Sequence, residues 1–75
     1  MIDRSRPVPP YLQLAAILRS QITSGERPRG SRLPAVLALA DEFGVAQVTV
    51  QKALKLLKDE GLVVAHSGYG TFVAE

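Results

Sequence analysis

The sequence predicts a mainly α fold closed by a small β-hairpin: three helices followed by a two-stranded wing. Three observations carry the prediction. Apolar residues recur at helical spacing in three stretches, closed by Gly25, Gly44 and Gly61. Only Gly44-Val45 separates the second stretch from the third. Beyond Gly61 two short runs rich in β-branched residues flank a turn that holds Gly68 and Gly70.

The elements follow in order. Residues 1–10, MIDRSRPVPP, carry charges and three prolines and read as a flexible N-terminal arm. The rest, residues 11–75, reads as one domain. Tyr11 to Ser24 is predicted helical, because Tyr11, Leu14, Ala15, Leu18 and Ile22 share one stripe. The prolines before it suit a helix start and Gly25 a helix stop. ERPRGSRLP, residues 26–34, is a Pro/Gly loop with a short strand at Arg32-Leu33. Ala35–Phe43 and Ala46–Glu60 are the second and third helices. Leu62–Ala65 and Thr71–Val73 are the strands of the hairpin.

Composition narrows the function classes. At 75 residues the core is modest, and with no cysteine there is no disulfide to staple it. The lack of cysteine fits a reducing compartment. No apolar run is long enough to span a bilayer, and the N-terminus lacks the apolar centre of a signal peptide, so the expected location is cytoplasmic. A net charge of +2 and a pI near 9.4 make the chain mildly basic, which by itself points only weakly to nucleic acid. No Ser/His/Asp set, Cys/His pair or phosphate-cradling loop is present, and His66 stands alone, so no enzyme, metal site or cofactor is expected.

Two helices joined by a two-residue turn are the geometry of a helix-turn-helix, and the hairpin that follows makes it winged. Val50, Ala53, Leu54 and Leu57 form the expected buried stripe of the third helix. Val48, Gln51, Lys52, Lys55 and Asp59 occupy the opposite face. In such a motif the first turn and a half of this helix enters the major groove of DNA.

The landmarks are Tyr11, Leu14-Ala15, SGERPRGSRLP, Leu39-Ala40, FGV, TVQKAL, EGLV and GYGTFV. In this order and spacing they resemble the winged helix-turn-helix domain of the GntR family of bacterial transcription regulators, from Pro10 to Val73. The resemblance implies a DNA-binding regulator, a repressor, acting as a homodimer on a pseudo-palindromic operator of double-stranded DNA. It also implies an effector or oligomerisation domain after the wing, so that no effector ligand is expected within these residues.

The sequence departs from the family pattern where DNA is met. After Leu-Pro the family usually carries Ser-Glu-Arg, whereas Ala35, Val36 and Leu37 stand here. At the third helix the family favours Ser-Arg-x-Thr-Val-Arg, whereas Ala46, Gln47, Val48, Thr49, Val50 and Gln51 stand here. Three arginines are thus replaced by Leu37, Gln47 and Gln51, and a wing position that is often basic is Tyr69. Both expected N-caps are alanine, which forfeits about 1 kcal/mol apiece relative to serine.

The expected DNA contacts are Arg32, Ala35 and Leu37 before and within the second helix, and Ala46, Gln47, Val48, Thr49, Gln51 and Lys52 at the third. Ser67, Gly68, Tyr69 and Thr71 complete them in the wing. Gln47 and Gln51 suit adenine N6 and N7, and Val48 suits a thymine methyl, which together favour an A·T-leaning site. Arg4, Arg6, Arg29, Arg32, Lys52 and Lys55 remain for phosphates. A second possibility stays open. Val36, Leu37 and Val48 lie off the core stripes and would cluster on the DNA-facing side, which suits a protein-interaction module that pairs with another regulator.

Overall fold

A computed structural model describes residues 2–75; Met1, the first residue of the expected arm, lies outside them. The elements run α1 (Pro10–Thr23), α2 (Val36–Phe43), α3 (Gln47–Asp59), β1 (Val63–His66) and β2 (Gly70–Val73). The order is the expected one, and the boundaries shift by a residue for local reasons. Pro10 is the first helical residue of α1, where its missing N–H costs nothing. Ala35 and Ala46, the expected N-caps, have extended ψ values of 159° and 154° and stand just ahead of the first helical residues, Val36 and Gln47. Neither makes a side-chain cap bond, because alanine has none to offer. Gly44, with φ 65°, takes the left-handed conformation that stops α2 and turns the chain into α3 within two residues.

The two strands pair antiparallel, with Val63 opposite Val73 and His66 opposite Gly70. The Tyr69 amide donates to the His66 carbonyl at 2.9 Å across the wing tip. The expected strand at Arg32-Leu33 takes the form of one bridge, Arg32 to Phe72. It is reinforced where Leu33 donates to Thr71 O and Val73 donates to Ser31 O, both at 2.8 Å. The loop before α2 therefore lies along the outer edge of β2 and covers it.

The core lies between α1, α2 and α3, with the base of the wing closing one end. Leu14, Leu18, Leu39, Val50 and Leu57 are fully buried, alongside Phe43, Val63 and Val73. Each buried leucine contributes roughly 2 kcal/mol of transfer free energy. Tyr11, Ile22 and Leu54, expected on the buried stripes, are half-buried at their margins. Val36 and Leu56, expected off those stripes, also pack against the core and are half-buried.

Two contacts fix elements that apolar packing leaves free. Gln13 is buried, and its carboxamide accepts from the Asp3 amide at 2.7 Å. Its Nε2 donates to Asp3 O at 2.7 Å and Val8 O at 2.8 Å, so the segment ahead of α1 is held along the helix. Arg4 continues from there and donates to Gly44 O at 2.8 Å, at the helix-turn-helix corner. Arg19 of α1 and Glu60, the C-cap of α3, form a two-toothed ion pair at 2.8 and 2.7 Å.

Candidate nucleic-acid interface

Burying Val50, Ala53 and Leu57 turns the other side of α3 to solvent. Gln47, Val48, Gln51 and Lys52 are all exposed there, and Val48 keeps 53% of its surface. Thr49 is half-buried beside them. Gln47, Thr49 and Gln51 form no side-chain hydrogen bond among the described residues, so their donors and acceptors are free for a ligand. Ala46 caps the helix without covering its first-turn N–H groups. Leu37, in the first turn of α2, is 62% exposed, and Ala35 is the exposed cap of that helix. With Val36 packed inward, the expected apolar cluster is reduced to Leu37 and Val48.

The wing tip, Ser67-Gly68-Tyr69, is exposed, and Tyr69 keeps 73% of its surface. Gly68 has φ 82°, which the three-residue turn requires. Thr71 lines the groove between α3 and the wing together with Gln51, Lys55 and Lys58. His66 sits edge-on to Phe72 with ring centroids 5.3 Å apart, and so serves as a packing residue of the sheet.

The expected phosphate-holding cations divide into free and engaged. Arg32 has no ion-pair partner among the described residues and lies against Gly70 of the wing. Lys52 holds its ammonium 5.8 Å from the centre of the Tyr11 ring, a weak attraction that aligns it beside α1. Lys55 is paired with Asp59 at 3.1 Å and Arg4 is bound to Gly44. Arg29 sits beside Gly25 and Gly61, at the end of the molecule opposite the first turn of α3. Glu60 has its carboxyl held below the ordinary 4.5 by the hydrogen bonds from Arg19. Asp3 is likewise held below its ordinary 3.8 by the Ser5 hydroxyl.

Four features escape the sequence: the buried role of Gln13, the Arg4 contact, the Tyr11–Lys52 stacking and the closeness of Arg32 to Gly70. The left-over glycine at 70, unneeded by the turn tip itself, was the one visible signal. Among the described residues no group of three or more His, Cys, Asp or Glu side chains is placed to hold a metal ion, and no helix is long and apolar enough to cross a membrane.

Three helices, a three-residue turn between the second and third, and a wing beside an exposed polar helix face define a winged helix-turn-helix DNA-binding domain. Residues 10–73 match the model of the bacterial regulatory proteins, gntR family, and the chain belongs to that family. It is 38% identical over 74 residues to the HTH-type transcriptional repressor NagR of Bacillus subtilis, covering 99% of this chain and 30% of NagR. The chain thus spans under a third of that relative. Among solved structures it is similar to YtrA from Sulfolobus acidocaldarius, a GntR-family transcription factor, with a TM-score of 0.93 and 35% identity over 100% of this chain and 79% of the other. It is also similar to the AraR DNA-binding domain in complex with operator ORX1, with a TM-score of 0.86 and 34% identity over 89% of this chain and 81% of that one.

Proposed function

We propose that this domain is the operator-reading part of a cytoplasmic transcriptional repressor that binds double-stranded DNA as a homodimer. The observation that carries this is the first turn and a half of α3, where Gln47, Val48, Gln51 and Lys52 stand exposed with no side-chain hydrogen bond of their own. The similarity to an AraR domain in complex with an operator supports the DNA-binding reading. In this reading α3 enters the major groove, Gln47 and Gln51 address adenines, and Val48 packs on a thymine methyl. Ala35, Ala46 and Thr49 approach the backbone, and Ser67, Gly68, Tyr69 and Thr71 meet the neighbouring minor groove. With Leu37, Gln47 and Gln51 in place of arginines, one copy binds weakly and its specificity leans on contacts to A·T pairs.

The test is selection of bound sequences from genomic fragments over a salt series. Enrichment of an A·T-leaning pseudo-palindrome is expected. If nothing rises above non-specific background at low salt, operator binding is wrong. One observation favours a second reading, a protein-interaction module: Leu37 and Val48 remain exposed on this face. That reading requires Leu37→Ser with Val48→Ser to abolish pairing with another regulator while leaving DNA affinity unchanged.

A further inference from the structure

The hairpin from Val63 to Val73 contains no lysine or arginine, so the wing brings no permanent cation of its own to the phosphate backbone. Arg32 lies beside it. Its backbone is bridged to Phe72, and the amide of Leu33 is bonded to Thr71 O, so the side chain leaves from a fixed position on the edge of β2. The side chain crosses Gly70. A Cβ built there would lie 2.9 Å from Arg32 Nε, closer than real Cβ atoms come, and 3.3 Å from one terminal nitrogen, so the flexible Arg32 side chain would have to move away. Gly70 also has φ 112°, where L side chains are rare. Arg32 is exposed, and no carboxylate among the described residues pairs with it.

We propose that Arg32 is the wing's phosphate anchor, contributed across the sheet, and that Gly70 is a positioning residue that holds the guanidinium in place by lacking a side chain. The inference rests on the DNA-binding reading above and specifies how the wing grips. A guanidinium packed against a glycine has no side chain there to crowd its in-plane N–H donors, and its planar fork matches phosphate oxygens. The arrangement accounts for Tyr69: a wing whose cation arrives from the preceding loop needs none at its tip.

The experiment measures affinity for a selected operator and for random duplex across a salt series, with thermal unfolding of each variant as the control for folding. Arg32→Gln is expected to lower the slope of log affinity against log salt by about 0.9, equally on both duplexes, because a phosphate contact carries no sequence information. Gly70→Ala should lower it likewise, and should change nothing further in the Arg32→Gln background. Gly70→Asn, whose side chain best tolerates positive φ, provides the same Cβ if the alanine variant does not fold. An unchanged slope in Arg32→Gln, a loss confined to the operator, or additive effects of the two substitutions would overturn the proposal. If the unsubstituted chain shows no salt-dependent binding to either duplex, the DNA-binding reading itself has failed.

Discussion

Two glutamines carry the specificity expected of α3, and their geometry makes a measurable claim. A carboxamide facing adenine donates to N7 and accepts from N6 together, and each such pair is worth about 1–3 kcal/mol of discrimination. Both side chains are exposed and carry no charge, so replacing Gln47 and Gln51 with alanine should leave the salt slope and the fold intact. The double variant is expected to lose preference for the selected site over random duplex; an unchanged preference would remove both residues from the readout. These positions were legible in the sequence because they follow directly from the turn at Gly44 and the buried stripe of Val50, Ala53 and Leu57. Gln13 was not legible. It sits between Leu12 and Leu14, next to an apolar stripe, and its partners are backbone groups of Asp3 and Val8, which leave no mark in a sequence. The engagement of Arg4 with Gly44 O escaped for the same reason.

At the scale of elements, the weak points are the starts of α2 and α3. Ala46 already has the extended backbone of an N-cap but no oxygen to accept from the first turn. Ala46→Ser is therefore expected to stabilise the domain by about 1 kcal/mol. For a domain this small that corresponds to a rise of roughly 4–8 °C in Tm, measurable by thermal unfolding. The type and order of every element could be read from periodicity and glycine placement, whereas the ends could not be placed to the residue. The strands show it: each is expected from its β-branched run, yet His66 and Gly70 join them because they pair across the hairpin, a partnership that neither residue type dictates. Between elements, the Arg19–Glu60 pair joins α1 to the end of α3. Because the folded chain lowers the Glu60 carboxyl below 4.5, its contribution is complete above that value and fades as pH falls through the lowered one. Glu60→Gln should be less stable than the unsubstituted chain at neutral pH. The gap in Tm should close in acid, and a gap independent of pH would show that the ion pair is not the cause.

For the molecule as a whole, the sparse cationic face and the small size bear on how tightly one copy holds DNA. The charge is only +2, and two of the cations expected at phosphates, Arg4 and Lys55, are engaged within the protein. Few counterions are then released on binding, and non-specific affinity is low. In the homodimer reading proposed above, tight binding comes from engaging two half-sites at once. The domain measures 34 × 25 × 20 Å, so its shorter extents let two copies sit side by side on one face of the duplex, about 34 Å apart. A flexible Gly/Ser linker of roughly 40 residues has a root-mean-square span of about that distance. Two copies joined by it should bind a palindrome with half-sites one turn apart about 10²- to 10⁴-fold more tightly than one copy does. On a single half-site the joined and separate forms should differ by no more than the statistical factor for two equivalent domains, about two. Fluorescence anisotropy on both duplexes gives the comparison. Equal affinity of the joined and single forms for the full palindrome would mean that the two half-sites are not engaged together, and would overturn the proposed homodimeric reading of a shared operator.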